Sequence, residues 1–245
     1  HLNDSLATQY WDYMKHAAVL DLGPSYKYPG KTVNDIIAEA FPVSAELGFI
    51  SLFLALGVGV CAGMVAAWRK NSWVDYSMMI CATLGVSVPS FIIAAILIQL
   101  FAFTWPILPA AMWHGPSYVV LPALALAAQP TSFIMRLTRS SILDALAQDY
   151  IKTARARGVG TRSLLIHHAL RNALLPVVSY VGPLAASLLT GSFIVESIFA
   201  IPGLGRYFVT SIYNRDYTMI LGITIFYSFL IIMMNLVIDV IYPMV

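Results

Sequence analysis

The chain has 245 residues, 59% of them hydrophobic and only 11% charged, whereas an ordinary soluble domain is about a quarter charged. This composition excludes a soluble globular domain, and a net charge of only +2 leaves little for a nucleic-acid partner. At about 20 apolar residues per crossing helix, the length suits roughly five or six membrane spans.

The expected fold class is therefore all-α, a polytopic transmembrane helix bundle. Residues 1–42 precede the first apolar segment and carry Lys15, Lys27 and Lys31 against Asp4, Asp12, Asp21, Asp35 and Glu39, a balance that places them outside. An external amino end needs something to carry it across, and the chain begins at His1 with neither an initiator Met nor a signal peptide. An additional first helix is expected ahead of it, giving six with both ends in the cytoplasm.

Residues 43–245 form the expected membrane domain. Its predicted spans are Val43 to Ala67, Tyr76 to Phe103, Tyr118 to Leu137, Ala173 to Val195 and Tyr217 to Tyr242, none with a charge near its middle. Gly59 and Gly63 make a GxxxG pattern in the first, which allows close helix approach. Cys61 and Cys81 lie in apolar segments and are read as buried packing residues, not a disulfide.

Between the first two spans lies a basic turn, Arg69-Lys70-Asn71, and between the third and fourth lies a long basic stretch. By the positive-inside rule both are cytoplasmic. Gly85, Pro89, Pro122, Pro130, Pro176, Gly182 and Pro183 interrupt the spans. These breakers serve packing kinks or line a solvated path, since freed backbone groups need partners in either case. The polar residues at span depth, Ser87, Ser90, Gln129, Thr131, Ser132, Ser179, Ser187 and Thr190, carry the same two readings: they satisfy backbone at kinks or line a path.

No power source is visible inside the chain. Ion-driven carriers keep ionisable groups deep in the membrane, but Glu46, Glu196, Arg136 and Asp239 all fall near span ends. Gly30-Lys31-Thr32 ends like a nucleotide-binding P-loop, yet Ser25 stands where that pattern needs Gly and no apolar strand leads in. His167 and His168 are adjacent, not spaced as metal ligands, and no Ser-His-Asp arrangement stands out. No cofactor, metal or catalytic residue is expected.

The basic stretch is the remaining candidate. Arg136, Arg139, Lys152, Arg155, Arg157, Arg162 and Arg171 make half of the 14 Lys plus Arg. From Ser140 to Arg157, Ile142, Leu143, Leu146, Tyr150, Ile151 and Ala154 recur at three and four residues, one face of an amphipathic helix. Gly158 and Gly160 end it, and Thr161 is placed to cap a second helix from Arg162 to Asn172. The loop 139–172 is far longer than the usual connection of about 2 to 8 residues. It either contacts anionic headgroups or docks a protein.

Ala154-Arg155-Ala156-Arg157-Gly158 followed by His168-Ala169-Leu170-Arg171-Asn172-Ala173-Leu174-Leu175-Pro176 resembles the cytoplasmic EAA loop of binding-protein-dependent ABC-transporter permeases. Lys152 and Thr153 stand where that motif has Glu and its first Ala, and His168-Ala169-Leu170-Arg171 replaces its I-x-L-P, as in the dipeptide and oligopeptide subgroup. HLNDSLATQYWDYM and LDLGPSYKY resemble the subgroup's external segment. Thr190 to Glu196, Phe199 to Gly205 and Asn214 to Tyr217 resemble its last external loop. The likeness spans nearly the whole chain and is strongest to B-type membrane subunits of oligopeptide importers.

That resemblance implies a type I ABC importer in the inner membrane. It would contain a second homologous permease subunit, two cytoplasmic ATPases and an extracytoplasmic peptide-binding protein, and would carry oligopeptides, with dipeptides or nickel as the alternative; an ion-coupled secondary carrier is the other reading. It further implies that the loop is the coupling helix, with Ala154 and Gly158 shaping it and Arg155, Arg157, His168, Ala169 and Leu170 as ATPase-facing candidates. Glu196, Arg206, Arg215 and Asp216 would then meet the binding protein or form a solvated charged loop.

Overall fold

The computed structural model describes residues 5–160 and 163–241. Among them the secondary structure is helical apart from one antiparallel bridge, Pro24 with Thr32. Helix α1 (Leu6–Ala18) opens on Ser5, whose hydroxyl accepts the Thr8 N–H. The chain then turns into α2 (Val33–Trp68) through a capping box: Thr32 Oγ1 accepts from Asp35 N–H, and Asp35 returns a carboxylate oxygen to Thr32 N–H. The P-loop-like triplet is thus a turn and a helix cap, with Lys31 paired to Glu39.

The second predicted span is not one helix. It is α3 (Trp73–Ser87) and α4 (Ser90–Ile98), which continues as a π-helical turn to Thr104, and the two lie 104° apart. Proline disfavours helical backbone in the residue before it; Val88 is extended (φ −90°, ψ 120°), and Pro89 starts the new direction. After a loop, α5 (Pro116–Leu146) runs through Pro122 and Pro130 and outlasts its predicted end by more than two turns.

Next come α6 (Asp149–Ala156), a π-helical turn (Leu164–Ala169), α7 (Leu170–Ala173) and α8 (Leu175–Leu189). The fourth predicted span also breaks, at Gly191 (φ +87°), into α8 and α9 (Phe193–Ile198). Helices α10 (Leu204–Asn214) and α11 (Tyr217–Ile241) complete the chain. Among the described residues, four helical stretches are long and apolar enough to cross a membrane, and the bent α3–α4 pair makes a fifth.

Lipid tails are as apolar as Leu, so close packing has to hold the spans together. Both glycines of the GxxxG pattern supply it. A Cβ at Gly59 would sit 2.8 Å from Ile134 Cγ2, and one at Gly63 would sit 2.6 Å from the Met135 carbonyl oxygen. The α2 and α5 backbones therefore touch where side chains would hold them apart. Around this contact, Leu47, Ala55, Leu121, Ala125, Ile134, Leu184 and Leu188 bury a common core from α2, α5 and α8.

Two smaller clusters define opposite ends of α2. At one end Leu22, Val33, Ile36, Leu204, Met219 and Ile223 join the amino-terminal segment to α10 and α11. At the other, Ala67 packs with Ile142 and Ala173. Both basic segments lie at this second end, as the charge distribution requires. Cys61 and Cys81, expected to be buried, are free and exposed, on outward faces of α2 and α3. In a span, outward faces are themselves apolar, so local hydrophobicity does not distinguish core from periphery.

Candidate coupling loop and translocation surface

At the basic end, the expected single amphipathic helix from Ser140 to Arg157 is two helices. Ala147 and Gln148 interrupt it, and Gln148 adopts extended backbone (φ −71°, ψ 154°) ahead of α6. The interruption turns α6 back on its own chain: Ile151 is buried with Ala145, Leu164 and Ala169, and Ala154 and Val159 pack against them. The apolar face is therefore already covered. What α6 presents outward is Lys152, Thr153, Arg155, Ala156 and Arg157, all exposed, with Lys152 bound to Asp149 at 2.8 Å.

The ending of α6 explains the spacing of Ala154 and Gly158. Val159 N–H reaches back to the Ala154 carbonyl at 3.2 Å, and Gly158 N–H to the Arg155 carbonyl at 3.0 Å. Gly158 takes φ +83°. This is a Schellman closure, in which the residue after the helix adopts the left-handed conformation that glycine reaches without strain. Ala154 and Val159, whose backbones close the motif, share the apolar cluster beneath it.

The returning strand of the loop supports α6 instead of extending its surface. Ala169 is buried and Leu170 half-buried, so neither lies on the exposed basic face. Asn172 donates to the Tyr150 hydroxyl at 2.9 Å, tying the return to α6. Thr161, Arg162 and the His167 and His168 side chains lie outside the described residues.

Asp75, which sequence reasoning passed over, anchors the base of this region. Arg139 grips it with two nitrogens, Nε to Oδ1 at 2.6 Å and Nη2 to Oδ2 at 2.7 Å, and Asn71 N–H adds a third bond at 2.9 Å. The carboxylate side chain is only 2% exposed. Ser72 followed three residues later by Asp75 is a recognisable helix-start pair, so a signal was present.

The candidate path residues divide. Ser90, Gln129 and Ser187 share a cleft of about 400 Å³ with Val86, Leu126, Pro130, Tyr180 and Ser192. Phe133 and Tyr180 stack at its wall with centroids 4.4 Å apart. Ser179 opens instead into a separate recess of about 280 Å³ beside Asn235 and Asp239. Ser132 is buried against Gly85 and donates to the Ala128 carbonyl at 2.9 Å. Ser87 and Thr190 likewise donate to helix carbonyls, and Thr131 is half-buried with its carbonyl facing Gly59.

At the far end, burial overturns the expectation that all four charged residues face outward. Glu196 and Asp216 are both fully buried. Glu196 accepts Ser44 Oγ–H at 2.8 Å and Arg206 N–H at 3.1 Å, while Ser44 Oγ accepts Leu204 N–H at 2.8 Å. The pair satisfies the orphan N–H groups at the start of α10, which has Gly203 as a cap without a side chain. A carboxylate at a helix amino end is favoured by the helix dipole.

Asp216 does the same for α11 and also holds the amino-terminal segment. It accepts from Ser25 Oγ at 2.5 Å, Tyr26 N–H at 3.1 Å, Lys27 N–H at 3.2 Å and Met219 N–H at 3.2 Å. Burial pushes its carboxyl up, but these hydrogen bonds to the charged form outweigh it and hold it below the usual range. Arg206 and Arg215 remain exposed; Arg206 lines a recess of about 250 Å³ with Tyr28 and Tyr207.

The fold and sequence both have known counterparts. The chain is similar in structure to a chain of the MetNI methionine ABC transporter in inward-facing conformations (TM-score 0.70, 16% identity, 85% of this chain and 95% of that one). It is similar also to an amino acid ABC transporter with histidines (TM-score 0.65, 16% identity, 86% and 95%). These likenesses speak to fold. In sequence it is 49% identical to the dipeptide transport system permease protein DppB of Bacillus subtilis (strain 168) over 99% of this chain and 79% of that protein. It is 43% identical to the oligopeptide transport system permease protein OppB of Salmonella typhimurium over 100% and 81%. Residues 59–245 match the family model for binding-protein-dependent transport system inner membrane components, and the chain belongs to that family.

Proposed function

We propose that this chain is the membrane-spanning subunit of an ATP-driven importer that carries peptides across the inner membrane. The observation that carries the reading is α6: a basic surface element, closed by a Schellman turn and fixed between spans α5 and α8, in a chain 49% identical to a dipeptide permease and 43% identical to an oligopeptide permease. Two cytoplasmic ATPases supply hydrolysis and receive the exposed face of α6. A second permease subunit completes the path, and an extracytoplasmic peptide-binding protein delivers substrate to the end that carries α10.

The chemistry of the cleft suits such cargo. Ser90 and Gln129 offer hydroxyl and amide groups to a peptide backbone, and Ser187, whose hydroxyl donates to the Leu184 carbonyl at 2.8 Å, offers an acceptor oxygen, while Phe133 and Tyr180 accept apolar or aromatic side chains without charge selection. Dipeptides and oligopeptides both fall within this reading. ATPase closure moves the spans only if the closed dimer binds one span arrangement better than the other. The test is uptake of labelled di-, tri- and pentapeptides by the complete complex in proteoliposomes. ATP-dependent accumulation is expected; equal uptake with and without ATP, or accumulation of none of the three, would refute the proposal.

A further inference from the structure

The Asp75–Arg139 ion pair lies outside both the exposed face of α6 and the cleft, yet connects the elements that carry them. We propose that it is the joint through which displacement of α6 reaches the broken span α3–α4, making Asp75 and Arg139 positioning residues for transport. This inference rests on the ATP-coupled reading above.

Arg139 sits two turns before the end of α5, whose last residues share an apolar cluster with α6. Asp75 is in the first turn of α3. The bidentate grip fixes both the separation and the rotation of the two helices, which a single contact would not. Asn71 N–H on the same carboxylate brings in the turn from α2. About 15 Å further along α3, Gly85 packs directly on Ser132 of α5. The two helices are therefore joined at two separated levels and move as one body.

That body ends at the Val88–Pro89 break, and the cleft begins there: Val86 lies just before it and Ser90 just after, facing Gln129 and Ser187. Motion entering at α6 is thus carried to the residues of the cleft. Stability alone gives little reason for the pair, because apolar residues of similar volume commonly serve as well as a buried ion pair. Its geometry instead supplies a fixed relation between two helices.

The test uses the full complex with Cys61 and Cys81 replaced by alanine. Nitroxide labels at Lys152→Cys on α6 and Ile80→Cys on α3 are each paired with a reference label at Tyr213→Cys, and distances are read with and without a non-hydrolysable ATP analogue. In the wild-type background both distances are expected to shift. With Asp75→Asn, the Lys152 shift is expected to persist and the Ile80 shift to fall about tenfold, whereas Arg139→Lys with Asp75 intact, which keeps the charge but not the fork, is expected to keep part of it.

An Ile80 shift unchanged by Asp75→Asn, or none in the wild type, would overturn the proposal. So would loss of both shifts in proportion to lost ATPase co-purification, which marks a purely structural pair. Peptide uptake is measured in parallel on the unlabelled wild-type complex. Both labels responding as expected without uptake would sink the transport reading and leave the joint standing.

Discussion

Asp216 shows how a residue that reads as surface charge becomes structural. Its sequence context, Asn214-Arg-Asp-Tyr217, is polar, and nothing local announces that Ser25 and the backbone of Tyr26 and Lys27 close over it from almost two hundred residues away. Because the folded carboxyl is held below its ordinary value, its contribution is full above the unfolded value of about 3.9 and is lost as pH falls through the folded one. The thermal stability advantage of wild type over Asp216→Asn is expected to be constant from neutral pH to about pH 5 and to vanish below the folded value. An advantage that grew on acidification would contradict this assignment. Glu196 is hidden from sequence for a similar reason: its partner Ser44 lies 152 residues away, and only the turn after α9 brings the α10 amino end back to it.

Elements were more legible than single side chains where local chemistry sets them. The GxxxG pattern in α2 and the glycine stop after α6 were both readable, because close approach and left-handed backbone are demands that few residues meet. The break at Val88–Pro89 was visible as a breaker but its 104° bend was not, since proline permits a kink and tertiary packing sets its angle. The amphipathic pattern of Ser140 to Arg157 misled in another way: the periodicity is real, but Ala147 and Gln148 let each half bury its face against the chain itself. Gly63→Val adds three carbons where the Met135 carbonyl leaves no room for one. Overpacking of this kind costs about 1–3 kcal/mol or more, so thermal unfolding of the purified chain is expected at clearly lower temperature. An unchanged midpoint would mean that α2 and α5 are not in backbone contact.

At the scale of the molecule, two kinds of connection meet in one helical body. At the far end, buried carboxylates fasten the amino-terminal segment, α10 and α11 into a unit. At the basic end, the Asp75–Arg139 pair and the α6 cluster fasten the loop to α3 and α5. The cleft lies between these units, beside the broken span. Charge distribution and hydropathy made the spans and the two ends legible in the sequence; the resemblance around Ala154 and Gly158 singled out the loop as the candidate. The cleft was only half legible, since serine spacing does not say which hydroxyls spend themselves on their own helix, as Ser87 and Ser132 do.

The central claim is that power enters through α6, and Gly158 tests it most directly. Its φ of +83° resists a β-branched side chain, while a Cβ there meets nothing within 4 Å, so a substitution strains the turn without disturbing the core. Left-handed backbone of this kind costs a non-glycine residue about 1–3 kcal/mol. ATP-driven peptide uptake by the complex carrying Gly158→Val is therefore expected to fall at least about tenfold, with less ATPase co-purifying and the permease chain itself still folded. Wild-type uptake together with wild-type ATPase recovery would contradict the account.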